Sequence, residues 1–470
     1  MHDFEPQLHR ILAQAVPDFI ALDACARLSG GASQETYTLD LSTHSGARRL
    51  VLRRGPGGVS ISRKYGGPGL TVEARLMELA GTAGVPVPAI VHVCTADDGL
   101  GEAFIMEWLD GETLGARIVR APELAAVRPR LAYQCGQILA RIHAIELERS
   151  GLTAVLEHLT PRAFVERQWQ YYRAFSTPQP MIDFTARWLL EHLPPAVPPT
   201  LVHNDFRNGN LMITAAAGVV GVLDWEIAHI GDPMRDLGWI CTNSWRFGHS
   251  SLAVGGFGTR ADLFAGYADA SGRTVDPEHV KFWEVSGSFW WAIGCLAMAE
   301  HFRSGPDRTV ERPAIGRRSS ECQIDCVNLI IPGHVLPPVA AGPPSSELPR
   351  TDELLSSVRD FLRNDVMPQT SGRTQFMARV AGNSLDIVLR ELAFGPTLAA
   401  AEQARLRALL GHDGAREDLR WELVQRLRDG SMALATGGLA EHLRATVFGQ
   451  VAIDQPQYSG YNHAVAGTVP

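Results

Sequence analysis

One stretch of the chain concentrates side chains that could move a phosphoryl group. Leu201-Val202-His203-Asn204-Asp205-Phe206-Arg207-Asn208-Gly209-Asn210-Leu211-Met212-Ile213 sets a carboxylate, Asp205, five residues ahead of an amide, Asn210. It is followed by Val219-Val220-Gly221-Val222-Leu223-Asp224-Trp225-Glu226, in which an apolar run ends on a second carboxylate, Asp224. Phosphoryl transfer asks for such a set: one carboxylate to orient a hydroxyl and accept its proton, and an amide oxygen with a second carboxylate to hold Mg²⁺ on nucleotide phosphates. Each piece alone is what turns and caps use anyway, since Asp and Asn favour such positions. The pattern HxDxxxxN together with an Asp at the end of an apolar strand is much harder to explain as turn chemistry.

These polar groups need elements to hold them. Residues 5–16 read as an amphipathic helix, followed by strand-like runs at 24–29, 35–41 and 48–54 with glycines between the first two. A Gly/Pro-rich stretch, 55–69, leads to a helix over 71–82 with Thr71 as its N-cap, and strand-like runs at 89–94 and 103–109 complete a small sheet. From 122 onward the period is helical (123–148, 161–176, 180–193, 259–271, 277–303 and about 309–331), apart from a β island at 199–225. Six prolines between Ile331 and Arg350 mark a linker. Beyond it the pattern is helical again, over 351–366, 373–392, 399–410 and 417–427. The expectation is an α+β chain with a small β-rich lobe (1–110), a helical lobe carrying the β island (111–331), a Pro-rich linker (332–350) and an all-α domain (351–470).

Composition narrows the function classes. The chain has 470 residues, a formal net charge of −8, 45% hydrophobic and 20% charged residues, which suits a globular protein of two to four domains. Mild acidity speaks against sequence-independent nucleic-acid binding, and no apolar run is long enough to span a bilayer. The polar, acid-containing start, Met1 to Arg10, resembles neither a secretory signal nor a transit peptide, so a cytoplasmic location is expected. The seven cysteines are scattered, with only Cys322 and Cys326 close, which favours reduced thiols. There is no GxxxxGK[ST], which removes a P-loop as the phosphate-handling device. Of 43 basic residues only Lys64 and Lys281 are lysines, a skew that matters because nucleotide sites often use one particular Lys.

The motif HNDFRNGN with LDWE resembles the aminoglycoside phosphotransferase family, whose fold is similar to that of eukaryotic protein kinases. The resemblance implies a bilobal protein-kinase-like fold, ATP or GTP with Mg²⁺, Asp205 as catalytic base, His203 as support of the loop, and Asn210 and Asp224 as metal ligands. The run Gly231-Asp232-Pro233-Met234-Arg235-Asp236-Leu237 also matches; Asp232 and Asp236 are expected to cap a helix and brace the catalytic loop. The residue after the histidine is commonly Gly in that family and is Asn204 here. In the small lobe Leu28 to Tyr37 resembles the nucleotide-covering turn, with Gly30, Gly31 and Ser33 letting backbone N–H groups approach phosphate. Then follow Arg53 on the third strand, Glu73 on the helix, and a hinge at Met106-Glu107-Trp108-Leu109 for adenine, with Glu107 and Leu109 among its residues. The strand position usually held by Lys is Arg53, with Arg54 the fallback if the register slips; Lys64 lies too close to Glu73 for that role. Leu52-Arg53 is similar to the kinase-like domains of certain acyl-CoA dehydrogenases.

The acceptor is expected to be a small molecule bearing a hydroxyl. Trp239, Trp245, Trp283, Trp290 and Trp291 serve either as core or as an apolar wall for an acyl or ring-bearing alcohol. Glu226 is the candidate carboxylate on the substrate side, with Asp262 and Asp269 also available. LVLRR, FIMEWLDGETL, HNDFRNGN and LDWEIAHIGDP resemble the dehydrogenase-associated kinases more than drug-resistance enzymes, which implies hydroxyacyl substrates such as 4-hydroxyacyl-CoA. An aminoglycoside, macrolide or other small-alcohol kinase stays open, as do a nucleotide-binding pseudokinase acting as an interaction module and an acyl-binding scaffold without nucleotide. The last 120 residues resemble a helical domain of unknown function found with such phosphotransferases. Its arginines, Arg359, Arg363, Arg373, Arg379 and Arg390, belong either to solvated faces or to a docking site for a partner or an anionic CoA moiety.

Overall fold

The computed structural model describes residues 4–28, 34–58, 67–305, 307–340 and 348–468. They form two compact units: residues 1–161, 195–241 and 245–283 in the first, and residues 162–194, 242–244 and 284–470 in the second. The first unit opens on a helix, Glu5–Ala15, and a five-stranded antiparallel sheet. Its strands are β1 (Phe19–Arg27), β2 (Glu35–Thr43), β3 (Gly46–Arg54), β4 (Ile90–Val93) and β5 (Ala103–Glu107), in the order β1-β2-β3-β5-β4. Alternation drives this sheet: Tyr37, Leu39 and Leu41 of β2 and Leu50 and Leu52 of β3 point to one face and bury against Leu8, Ile11 and Leu12 of the first helix. β1 begins at Phe19, five residues before the strand-like run suggested by sequence, because its pairing with β2 extends from Phe19–Thr43 to Arg27–Tyr37.

The helix Leu70–Thr82 packs on β4 and β5 and carries Glu73 on its buried face. It starts one residue earlier than expected and Thr71 does not cap it. Gly69, at φ 84°, is the N-cap, and no side chain bonds the first turn. The β island resolves into two small antiparallel sheets, β6 (Thr200–Val202) with β9 (His229–Gly231) and β7 (Leu211–Thr214) with β8 (Gly218–Val222). Helices Gly115–Arg120, Arg128–His143, Met234–Cys241 and Arg260–Ser271 and the start of Pro277–Ser304 complete this unit. Among the described residues no helix is long and apolar enough to cross a membrane.

The second unit is helical. It takes most of Pro161–Arg173, then Pro180–Glu191, the remainder of Pro277–Ser304, Glu311–Arg317, Ser319–Ile330, Thr351–Phe361, Gly372–Leu410, Arg416–Arg428, Leu439–Asp454 and Ser459–Ala466. The two segments read from sequence as 373–392 and 399–410 are one helix of 39 residues that runs through Pro396. Proline removes one backbone donor and crowds the preceding turn, but Leu406 and Leu410 are held in the core, so burial outweighs the local break. That core joins Leu406, Leu419, Leu423, Leu443 and Phe448 to Met181, Phe184, Ile324 and Val327.

Helices Arg128–His143 and Arg260–Ser271 cross at two glycines. A Cβ on Gly136 would stand 2.1 Å from the Leu263 carbonyl oxygen, and one on Gly266 would stand 2.0 Å from that of Tyr133. Backbone cannot yield as a flexible side chain can, so Gly136→Ala should lower stability by about 1–3 kcal/mol. A thermal denaturation in which this variant melts with the wild type would refute so tight a crossing.

Candidate functional site

Asp205, Asn210, Asp224, Arg53 and Glu73 all lie in the first unit. Asp205 follows β6 and its carboxylate is gripped from three directions. Arg207 Nε and Trp239 Nε1 donate to Oδ1 at 3.0 and 2.8 Å, and Asn210 Nδ2 donates to Oδ2 at 2.6 Å. Burial pushes its carboxyl above the ordinary value and Asp224 adds to this, while Arg207 and Trp239 counter it. Asn210 also donates from Nδ2 to the Asp205 carbonyl at 3.0 Å. Both bonds use the nitrogen, so Asn210 Oδ1 remains available to a hard cation.

Arg53 extends from β3 into a cage of carboxylates. Its Nη2 lies 2.7 Å from Asp224 Oδ1 and 3.4 Å from both Glu73 Oε1 and Glu226 Oε2. The register Thr36–Arg53 and Arg53–Phe104 places this residue, rather than Arg54, over the cleft. Arg54 turns instead to the Leu100 carbonyl and to Glu35. Burial works against the charge of Arg53, but the three carboxylates hold it protonated and raise its pKa. Burial, with Asp224 and Glu226, pushes Glu73 up to about 8 despite Arg53, since this carboxyl is 1% exposed. Burial also opposes ionisation of Asp224, yet the charge and hydrogen bond of Arg53 prevail and keep its carboxyl below the usual value. Arg53 Nε is buried and has no hydrogen-bond partner among the described residues.

The loop is fixed from beneath by Asp236, which is fully buried at the start of Met234–Cys241. Its oxygens accept the backbone N–H groups of His203 and Asn204 at 2.9 and 2.8 Å, and His143 Nε2 stands 3.2 Å away. His143 Nδ1 is in turn 3.0 Å from the Tyr267 hydroxyl. Burial favours the neutral acid, but these donors win and hold Asp236 below the ordinary carboxyl value. Asp232 accepts the Met234 N–H at 2.9 Å and lies 2.5 Å from His279 Nε2. His203 Nδ1 accepts the Asp205 N–H at 3.2 Å, and its ring sits 4.5 Å from that of Trp225.

Asn204 is left-handed, at φ 68°, and so is Asp224, at φ 69°. This accounts for the departure from the common glycine: Asn is among the few side chains that tolerate this region. Here it is also anchored, with Nδ2 donating to the Ile227 carbonyl at 3.2 Å and Oδ1 accepting from Arg235 Nε at 3.0 Å. Glu107 ends β5 and pairs with Arg48, so its side chain is committed while the backbone continues past it. Leu109 packs over Gly221 of β8, where a Cβ would meet Leu109 Cδ1 at 2.8 Å. Gly30, Gly31, Ser33 and Lys64 lie outside the described residues.

Several contributors carried no motif. Trp239 reaches Asp205 from 34 residues downstream. Trp245 stacks under the Arg207 guanidinium at 4.3 Å and meets Trp239 edge-on at 5.1 Å. His143 is one of many histidines in the sequence, and only the tertiary fold reveals its tie to Asp236. Asn208, inside the motif itself, donates to the Gly255 carbonyl at 2.7 Å and pins the loop from the other side.

A β-rich sheet with one packed helix, a following helical region, a loop carrying Asp205 and Asn210, and a strand-end Asp224 paired with Arg53 define a kinase-like phosphotransferase fold. Comparison with known proteins agrees: residues 24–275 match the phosphotransferase enzyme family, and the chain belongs to that family. Residues 368–458 match a domain of unknown function. The chain is similar to mouse acyl-CoA dehydrogenase family member 10, with 32% identity over 45% of this chain and 19% of the relative. It is also similar to chicken acyl-CoA dehydrogenase family member 11, with 29% identity over 55% of this chain and 33% of the relative. It therefore spans only a fifth to a third of the length of those two curated relatives. Among solved structures it shares the fold of a candidate aminoglycoside phosphotransferase from Ralstonia eutropha JMP134, with TM-score 0.55 and 22% identity over 68% of this chain and 95% of that one.

The left-handed position yields a test. Asn204→Val forces a β-branched residue into this region and removes the bond from Arg235, so it should cost about 1–3 kcal/mol. Asn204→Gly should cost clearly less, because relief of strain offsets the lost bonds. Equal losses for the two variants in chemical denaturation would mean that backbone conformation does not matter there.

Proposed function

We propose that the first unit transfers the γ-phosphoryl group of ATP to a hydroxyl of a small molecule. The observation that carries this reading is the pairing of a half-buried, three-fold hydrogen-bonded Asp205 with an Arg53–Asp224–Glu226–Glu73 charge cluster in one unit. Asp205 would orient the acceptor hydroxyl and take its proton as the oxygen attacks phosphorus, while Trp239 and Arg207 hold the carboxylate in place. Arg53 would bind the nucleotide phosphates, and its buried, unpartnered Nε suits a phosphate oxygen. Asn210 Oδ1 and Asp224 are hard oxygen donors that fit Mg²⁺, whose charge would offset that of the phosphates. Gly30, Gly31 and Ser33 would cover the phosphates, and the backbone of Glu107 to Leu109 would take the adenine. Asp232 and Asp236 would shape the loop without touching substrate.

For the acceptor, a hydroxyacyl thioester or related hydroxy acid is the preferred class. The names of the relatives point to acyl-CoA chemistry. A polycationic aminoglycoside would need carboxylates free of cations, whereas Asp224 and Glu226 share Arg53 and Asp205 carries Arg207. Trp239 and Trp245 are buried core that backs Asp205 and Arg207 rather than surface for an acyl chain, so the preference for this class rests on the relatives' names.

With MgATP and a panel of hydroxyacyl-CoAs, choline, sugars and an aminoglycoside, ADP release should rise with the hydroxyacyl-CoAs. Asp205→Asn should lower the rate by about 10²–10⁴-fold while nucleotide binding persists. Turnover of the aminoglycoside alone would refute the acceptor, and nucleotide binding without any ADP release would favour an interaction module. Arg53→Ala should reduce kcat/KM for ATP by about 10²-fold, with Lys64→Ala near wild type. The reverse ranking would overturn the placement of the phosphate-binding residue. Because the Asp205 carboxyl titrates above its ordinary range, kcat/KM should fall on acidification at a higher pH than a free carboxylate gives.

A further inference from the structure

The second unit contains a cavity of about 620 Å³ that phosphoryl transfer does not use. Its volume falls within the range of small-molecule sites, roughly 300–1,000 Å³. One wall is a single face of Gly372–Leu410, on which Phe376, Val380, Ile387 and Arg390 recur at helical spacing. Another is the segment Glu311–Glu321, which contributes Ile315 and Arg318, and the end of Leu439–Asp454 closes the space. Arg363 enters from a π-helical turn, Leu362–Val366, that follows Thr351–Phe361. Such turns are rare and frequently mark functional sites.

The guanidinium groups here are only partly used. Arg390 donates from Nε to the Ile453 carbonyl at 2.5 Å and from Nη2 to the Asp454 carbonyl at 3.1 Å. Among the described residues its Nη1 has no partner, and no ion pair joins it to a carboxylate. Among the described residues Arg363 uses only Nη2, toward Asn383 and Asp386, and Asp386 is shared with Arg359. Arg318 uses Nε toward Glu321 at 3.1 Å. Of the other carboxylates on the wall, Asp454 is bonded to Arg317, while Glu311 stands on the facing helix. Burial and the neighbouring Arg363 both act against the charge of Arg390, with Asp386 and Asp454 opposing them in part. An anion between the two arginines would remove that repulsion.

We propose that this cavity binds an organic oxyanion, with its carboxylate or phosphate head between Arg363 and Arg390 and an apolar tail along Phe376, Val380, Ile387 and Ile315. Arginine N–H groups suit planar and tetrahedral oxyanions alike, so the head alone does not separate the two sources. The site does not depend on the phosphotransferase reading.

Calorimetric titration of the full chain with hexanoate, hexyl phosphate, inorganic phosphate and hexylamine tests it. Saturable binding is expected for hexanoate or hexyl phosphate, whichever head is preferred, with inorganic phosphate at least tenfold weaker and hexylamine silent. Arg390→Gln removes a brace of the helix end, so Arg363→Gln, which leaves that brace intact, is made beside it. With circular dichroism unchanged, Arg363→Gln should weaken binding at least tenfold. No saturable binding of either amphiphile, unchanged affinity in a folded Arg363→Gln variant, or inorganic phosphate matching hexyl phosphate would each overturn the site.

Discussion

The candidate site depends on one cation shared among three carboxylates. Arg53 lies within ion-pair distance of Glu73, Asp224 and Glu226, which come from the helix Leu70–Thr82 and from the segment after β8. Three ionised acids around this one guanidinium would repel one another in a partly dry cleft, where charge is costly. The proton demand therefore falls on the most buried acid, Glu73, and leaves Asp224 as the carboxylate best kept ionised. This polarisation ties the sheet, the helix and the β7–β8 ribbon to one electrostatic centre. On the proposed reading, a divalent ion and a nucleotide polyphosphate would bring charges of both signs to these groups.

Beneath that centre the backbone is held in a shape it would not choose unaided. Two non-glycine residues of the site, Asn204 and Asp224, sit in the left-handed region. Such conformations persist only where surroundings over-determine them. Asp236 does so for the first, by accepting two successive N–H groups, and Asn204 secures itself through its own side chain. The price of burying Asp236 is met by His143 and by those two backbone donors, so loss of any one member exposes the others to an uncompensated charge. Positioning and electrostatics are thus one problem in this loop.

This division explains what could be read from sequence. Local chemistry was legible: the HxDxxxxN spacing, the strand-end Asp224, the alternation of β2 and β3 and the helical face of residues 70–82 all announce themselves within short windows. The preference for Arg53 over Arg54 was also accessible, because strand alternation sends neighbours to opposite faces. What escaped was tertiary. Trp239 and His143 act through distances of tens of residues, and nothing near them in the chain marks a carboxylate partner. Pro396 sent the opposite signal from the one the fold obeys, since a local breaker was weighed without the burial of Leu406 and Leu410. Thr71 failed as a cap for a related reason: Gly69 makes the turn into the helix.

The second unit shows that a change in composition need not be a change in packing. The Pro-rich stretch after Ile331 marks where helical periodicity stops, and its described part, 331–340 and 348–350, contains no helix or strand. Yet Leu406, Leu423 and Phe448 beyond it share a core with Met181, Phe184 and Ile324 before it. Two further ties cross the same stretch: Arg428 Nε to the fully buried Asp183 at 2.8 Å, and Tyr458 to Asp325 at 2.5 Å. Asp183 has Trp169 and Tyr172 as its other partners, so removing Arg428 would leave a buried carboxylate with neutral donors alone. The region matched by a domain of unknown function, 368–458, therefore covers only part of its own hydrophobic core. A segment cut at those limits would expose Leu423 and Leu443 on the face they now bury against earlier helices. The compact unit is set by shared burial, and here that unit begins near residue 162.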